Sequence, residues 1–265
     1  MIHLNNLKCY IFDMDGTIYL GSRVIPGAKE LLALLRERRI PYYFFTNNSS
    51  KSPEDYIGKL KALGFGDYTR QDIITSADVT ADYILKRFGV GASAYVVGTP
   101  SLLSQLSAAG IRLTESQPDC VVVGFDTTLT YEKCDKATAL LRQDVPFLAT
   151  NIDAVCPLED GAVLPDCASI CAMLTYATGK KPKFLGKPFA ETAEYIMNYT
   201  GFSAEHTAVV GDRLYTDMRL AMDNGMCAIG VLSGEMTQED IDQSEDKPDY
   251  LFGSVRELTE HLKNA

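Results

Sequence analysis

No lysine- or arginine-rich block stands out in this 265-residue chain, whose formal net charge is -10, with 35 acidic residues against 25 basic ones. Binding to a phosphate backbone needs clustered positive charge, so nucleic acid is not an expected partner. No apolar stretch exceeds strand length, and the opening Met1-Ile2-His3-Leu4-Asn5-Asn6 lacks the basic and hydrophobic regions of a signal peptide. Neither a membrane span nor export is expected. There is no CxxC pair: seven cysteines (Cys9, Cys120, Cys134, Cys156, Cys167, Cys171 and Cys227) are scattered in odd number, the pattern of a reducing compartment and hence of the cytoplasm. Cys167 and Cys171 share a face of a predicted helix and could start a metal site with Cys156, but buried thiols acting as small hydrophobes are commoner. Histidine is scarce, and His3, His206 and His261 lie far apart; none is placed as a catalytic base. Repeats and low-complexity segments are absent as well.

What is present reads as an ordinary globular protein, 46% hydrophobic and long enough for one large or two modest domains. Strand and helix alternate from the start: an apolar strand to Phe12, a helix over Ala28 to Arg39 punctuated by Pro26 and Gly27, and a strand Tyr42-Tyr43-Phe44-Phe45. Ser52-Pro53-Glu54-Asp55 reads as an N-cap, a first-turn proline and two first-turn acids, opening a helix that ends at Gly64. From Ala92 the pattern restarts, with strands at Tyr95 to Gly98, Cys120 to Gly124 and Phe147 to Ala149. A polar loop Asn151 to Asp166 and a helix from Cys167 follow. From Phe184-Leu185 onward the chain returns to its first style. The expectation is an α/β protein: a doubly wound parallel-sheet core over residues 1–79 and 182–265, interrupted by a smaller α/β domain over 80–181.

Four segments carry the chemistry. Asp13-Met14-Asp15-Gly16-Thr17 follows the apolar run Lys8-Cys9-Tyr10-Ile11-Phe12, so two carboxylates two residues apart stand where a buried strand becomes a loop, the place where open α/β sheets put their ligands. Alone, an Asp-Gly turn would account for it. Thr46-Asn47-Asn48-Ser49, beyond the second strand, offers a hydroxyl, amides and backbone N–H groups suited to an anion. Gly186-Lys187-Pro188 places a lysine at a strand exit, within reach of a phosphate and a carboxylate. In Val209-Val210-Gly211-Asp212 an apolar strand again ends in an acid, and Asp217 follows five residues later. Oxygen-only ligands from Asp13, Asp15 and Asp212 suit a hard cation, and a site that also expects phosphate favours Mg²⁺; the lack of a His/Cys cluster argues against zinc.

In this order the four segments resemble the four motifs of the haloacid dehalogenase superfamily of phosphatases. The insertion of about a hundred residues between the second and third resembles the large α/β cap of the NagD and p-nitrophenylphosphatase-like branch. The resemblance covers essentially the whole chain, with no departure at a core catalytic position. It implies a Mg²⁺-dependent phosphomonoester hydrolase acting on a small phosphorylated metabolite through an aspartyl-phosphate. Asp13 would be the nucleophile and Asp15 the general acid and then base. Mg²⁺ would be held by the Asp13 carboxylate, the Asp15 carbonyl and Asp212, with Asp217 in support. Thr46, Asn47, Asn48 and Lys187 would bind the phosphoryl group, and Gly16 and Thr17 would support the nucleophile loop.

Tyr19-Leu20-Gly21 and Arg23 would lie near the site entrance. Cap loops Asn151 to Asp166 and Phe125 to Thr130 would meet the leaving group, with Asn151 and Asp153 as candidates. Asp153, Glu159 and Asp160 make the first loop acidic, which would disfavour a highly anionic leaving group if they face inward. Relatives often associate through the cap, so a homodimer is a further expectation of the resemblance. A phosphotransferase or mutase would differ only in the acceptor. A dehalogenase would have no need of Asp15, and an inert binding protein would be expected to have lost one of these residues.

Overall fold

The computed structural model describes residues 2–158 and 161–264. The chain divides into two compact units, one of Met1–Thr46, Ile57–Ile74 and Lys187–Ala265, the other of Asn47–Tyr56 and Thr75–Gly186. Helix Ser76–Phe88 groups with the second unit because its buried Ala77, Ala81 and Ile84 pack with Ala94 and Val96 of that unit. The division therefore falls a few residues outside the expected limits of 80 and 181 and adds the short segment 47–56.

The first unit is built on a six-stranded sheet in the order Tyr250–Phe252, Cys227–Val231, Thr207–Gly211, Cys9–Phe12, Tyr42–Thr46, Ile73–Thr75. Cys9–Phe12 pairs in parallel on both sides, Phe12 standing opposite Val210 on one and Phe44 on the other. Every residue of Cys9–Phe12, Thr207–Gly211 and Cys227–Val231 is buried. Strands covered on both faces read as continuous apolar runs rather than alternating ones, which is why these were recognisable. Helix Val255–Asn264 is not among the expected elements, although Val255, Leu258, Thr259 and Leu262 are all buried at helical spacing. That helix packs on Ala28–Glu37. Helix Gln238–Gln243 and the hairpin of Tyr19–Leu20 with Arg23–Val24 are likewise additions to the expected elements.

The second unit has a five-stranded sheet, parallel throughout, in the order Lys183–Phe184, Phe147–Ala149, Cys120–Val123, Ser93–Val97, Arg112–Leu113. Alternate residues of Ser93–Val97 feed opposite faces: Tyr95 and Val97 meet Leu141 and Leu174, whereas Ala94 and Val96 meet Ile84 and Leu106. Cys167 and Cys171 belong to the first of these clusters as buried thiols, and Cys167 donates to the Val123 carbonyl (3.2 Å).

Two expectations need correction. Lys183–Phe184 does not rejoin the first unit's sheet; Phe184 stands opposite Ala149 and packs into the second unit's core. The stretch 151–166 is not simply a loop, since Val155–Pro157 and Val163–Pro165 pair as an antiparallel hairpin. Glu159 and Asp160, on which part of its acidic character was expected to rest, lie outside the described residues. Among the described residues no helix is long and apolar enough to cross a membrane.

Leu258 is fully buried, so truncating it removes packing from the core. Leu258→Ala should lower stability by about 2–5 kcal/mol. Urea unfolding of the variant beside wild type measures this, and a loss well under 1 kcal/mol would mean that the C-terminal helix contributes little to the core.

Candidate active site

Adjacent parallel strands bring Asp212, Asp13 and Thr46 to one edge of the first unit's sheet. Asp13 directly follows Phe12, and its N–H still donates to the Val210 carbonyl (2.9 Å). Asp212 directly follows Gly211, and Thr46 is the last residue of its strand. From Cys9–Phe12 the next core strand in sequence lies on one side and Thr207–Gly211 on the other. This reversal opens a crevice at the carboxyl ends of the strands.

The loop after Asp13 folds back tightly. The Met14 carbonyl accepts from the N–H groups of Ile18 (2.9 Å) and Tyr19 (3.1 Å), and Gly16 N–H donates to the Tyr19 carbonyl (2.7 Å). Gly16 has φ +89°, and a Cβ there would overlap the Asp212 carboxylate, so both its conformation and its close approach require glycine. Asp212 is oriented by Thr17, whose hydroxyl donates to Oδ1 (3.2 Å), and by the Glu235 N–H, which donates to Oδ2 (2.8 Å). Asp217 sits in a π-helical turn, Leu214–Met218, and its Oδ2 accepts from the Arg213 N–H (3.2 Å).

Lys187 is 3% exposed, with its ammonium 2.6 Å from Asp13 Oδ1 and 2.6 Å from Asp217 Oδ1. Burial opposes its charge, but Asp13 and Asp217 more than offset this and hold it protonated. One oxygen from each of Asp13, Asp212 and Asp217 lies within 4.8 Å of the others. Burial, then the charges of Asp13 and Asp217, push Asp212 up to about 8. Asp217 rises to about 6 through burial, against the pull of Lys187. Such crowding of oxygen donors around a single ammonium is the environment a hard divalent cation fits, because it would offset the surplus negative charge.

The Asp15 carboxylate stands apart from this cluster. It is 56% exposed, accepts from the Gly21 N–H (3.3 Å), and lies 3.5 Å from Lys59, whose ammonium also covers the Tyr19 ring at 3.8 Å. Its titration is raised by loss of surrounding solvent, against the pull of Lys59 and with a further push from Asp13. Among side chains, the oxygens brought together are those of Asp13, Asp212 and Asp217; the expectation for Asp15 as a ligand concerns its backbone carbonyl, not this exposed carboxylate. Lys187 does not exit a core strand, since the strand before it belongs to the other sheet.

The remaining candidates lie in the second unit. Asn48 Oδ1 accepts from the N–H (2.9 Å) and hydroxyl (2.7 Å) of Ser50, forming a local turn. The Asn47 amide donates to Asp153 Oδ2 (2.9 Å), and Asn151 donates to the same oxygen (2.9 Å). Asn151 and Asp153 are therefore buried and bonded to their own unit. In the other proposed loop, buried Asp126 pairs with Lys133 (2.7 Å). Sequence reasoning missed Lys59 and Glu235; a lysine within a helix and a peptide N–H in a loop leave no pattern to read.

The sequence pattern of haloacid dehalogenase-like hydrolases matches residues 10–112, and that described as HAD-hydrolase-like matches residues 184–258. An acid sugar phosphatase of Staphylococcus aureus is 35% identical over 261 residues, covering 98% of this chain and all of the relative. Among solved structures, the 4-nitrophenylphosphatase of Thermotoga maritima is 42% identical with a TM-score of 0.92, over 97% of this chain and 98% of that one. The glycerol phosphate phosphatase of Mycobacterium tuberculosis in complex with magnesium is 32% identical with a TM-score of 0.88, over 96% of this chain and 76% of that one.

The acid cluster predicts a pH signature. Asp212 titrates above its ordinary value of 3.8, near 8 in the folded chain. Between those values the folded chain holds a proton that the unfolded chain has released, so metal-free stability declines as pH rises through that window. In EDTA, wild type should lose at least about 1 kcal/mol more than Asp212→Asn between pH 5 and pH 8. Equal losses in urea titrations of the two proteins would show that Asp212 is not under this pressure.

Proposed function

Because the chain belongs to the haloacid dehalogenase-like hydrolases, in the branch that holds NagD and the 4-nitrophenylphosphatases, we propose that it hydrolyses phosphomonoesters of small metabolites through Asp13. The observation that carries this reading is the buried Lys187 ammonium 2.6 Å from Asp13 Oδ1 at the end of a central strand. A carboxylate so placed is fixed in aim, and the same ammonium is available to an incoming phosphoryl oxygen.

An oxygen of Asp13 attacks phosphorus, and the bond from phosphorus to the ester oxygen breaks. The Asp15 carboxyl delivers its proton to that departing oxygen, which leaves as an alcohol; a carboxyl with raised titration suits the task. Asp15, now a carboxylate, takes a proton from water as the water oxygen attacks the aspartyl-phosphate. The bond from phosphorus to Asp13 breaks, and inorganic phosphate leaves. Thr46 and the peptide N–H after it, with Lys187, bind the non-reacting phosphoryl oxygens.

Mg²⁺ would be held by the carboxylates of Asp13 and Asp212 and the Asp15 carbonyl, with Asp217 beside them, and would offset the repulsion between nucleophile and phosphate. The magnesium complex of the similar glycerol phosphate phosphatase supports that choice of ion. The names of the relatives favour sugar phosphates and glycerol phosphate as the substrates to try first. The seven cysteines are free thiols, in keeping with a cytoplasmic enzyme.

Phosphate release from a panel of sugar phosphates, glycerol phosphate and 4-nitrophenyl phosphate tests this reading. Turnover should need Mg²⁺, stop with EDTA, and fall by about 10⁴-fold or more in Asp13→Asn. Asp15→Asn should cost about 10²–10⁴-fold on alkyl esters and distinctly less on 4-nitrophenyl phosphate, whose leaving group departs without a proton. Undiminished turnover in Asp13→Asn would sink the mechanism, and an equal loss on both ester types would remove Asp15 from its role.

A further inference from the structure

The second unit has a crevice of its own, and the chain itself fills it. From Ser93–Val97 the next strand, Arg112–Leu113, lies on one side and the one after, Cys120–Val123, on the other, so a second reversal point opens at the carboxyl ends of this parallel sheet. Residues 49–51 occupy it. The Phe125 N–H donates to Ser49 Oγ (2.9 Å), which also pairs with Thr150 Oγ1 (2.9 Å). The Thr99 hydroxyl donates to the Ser50 carbonyl (2.9 Å), and the Gln105 amide donates to the Lys51 carbonyl (3.1 Å).

Along the same edge the grip extends to Asn47. Ser76 Oγ donates to its carbonyl (2.7 Å), and its side-chain amide donates to Asp153, which is 2% exposed. Asn151 donates to Asp153 and to Asp166 (3.1 Å) at once, tying the two carboxylates together. Gly186, at φ +73°, leaves no room for a side chain beside the same group: a Cβ there would lie 2.7 Å from Asn47 Oδ1 and 2.6 Å from the Thr150 carbonyl. Asn47 is covalently next to Thr46, and Gly186 is next to Lys187. Thr46, assigned to the phosphoryl oxygens, is thus one peptide bond from a residue clasped in this buried network.

We propose that Asp153 is a positioning residue for phosphate binding: by holding the Asn47 amide it fixes the Thr46–Asn47 peptide. This rests on the phosphatase reading for the use made of Thr46. A buried carboxylate is a demanding way to hold a loop, but it accepts two amide protons at one oxygen and so aims Asn47 more narrowly than an apolar contact would.

The test compares wild type, Asp153→Ala, Asp153→Asn and the exchanged pair Asn47→Asp with Asp153→Asn. Orthophosphate binding is measured by calorimetry with Mg²⁺ present, KM and kcat with 4-nitrophenyl phosphate, and Tm separately. In Asp153→Ala the orthophosphate Kd and the KM should both rise about tenfold or more, the scale expected for a displaced binding group. The exchanged pair, which restores an amide-to-carboxylate bond in reverse, should recover most of that loss. If Asp153→Ala does not fold, Asp153→Asn alone and the exchanged pair decide, the first being weakened and the second recovering. Folded variants whose Kd and KM stay within about twofold of wild type, whatever their Tm, would overturn the proposal and leave Asp153 a structural residue. A wild type that binds orthophosphate but hydrolyses no ester would overturn the phosphatase reading alone, with the Kd series still deciding the role of Asp153. A wild type that binds no orthophosphate would overturn both.

Discussion

Three carboxylates share a buried space with a single ammonium, one oxygen of each lying within 4.8 Å of the others, and much of the first unit is arranged to keep them there. Repulsion between Asp13, Asp212 and Asp217 would spread them if their backbones were free. They are not free, because two are continuations of fully buried strands and the third lies in a short helical turn packed behind them. Lys187 bridges Asp13 and Asp217, whereas Asp212 makes no ion pair among the described residues and feels only the more distant charge of Arg213. Its carboxylate is held instead by a hydroxyl and a peptide N–H, bonds that orient it without neutralising it. The strain of unbalanced charge is thereby concentrated at the atom where a divalent cation would relieve most of it.

Both units use the same architectural device with opposite outcomes. Each has a parallel sheet whose strand order reverses near its middle, opening a crevice at the carboxyl ends. In the first unit that edge carries the acids and Thr46. In the second it is filled by Ser49, Ser50 and Lys51, whose polar groups meet Phe125, Thr150, Thr99 and Gln105. A crevice satisfied by the chain's own polar groups becomes an anchor for the segment that follows Thr46.

The parts of this arrangement that were legible in the sequence are those in which a polar residue interrupts an apolar run. Asp13 after Cys9–Phe12, Asp212 after Val209-Val210-Gly211 and Thr46 after Phe44-Phe45 all announce a strand end, because a strand buried on both faces has no polar position within it. Lys187 could be singled out by its motif, but not the sheet its preceding strand joins. A two-residue strand such as Lys183–Phe184 carries too little pattern to choose between two parallel edges. Helix Val255–Asn264 did carry a pattern, with Val255, Leu258, Thr259 and Leu262 at helical spacing, and was simply passed over. Asp153 was the hardest to place. In sequence it belongs with the acids of a polar stretch, and only the folded chain shows that two amides have been brought to it.

Asp153 and Asp212 are nearly equally buried, at 2% exposure each, yet they sit in networks of different kinds. Asp153 receives two side-chain amides at one oxygen, and one of them, Asn151, also binds the buried Asp166 carboxylate, so a shared neutral donor bridges the two acids. Asp212 receives a hydroxyl and a peptide N–H, but two other carboxylates crowd it. Hydrogen bonds can supply the direction a buried carboxylate needs in either case, but they cannot cancel the field of neighbouring carboxylates. In the second unit the bridging Asn151 amide and the Asn47 amide make the acid a fixed piece of scaffolding. In the first unit the same residue type stays electrostatically unfinished, and that imbalance is what a bound divalent cation would offset.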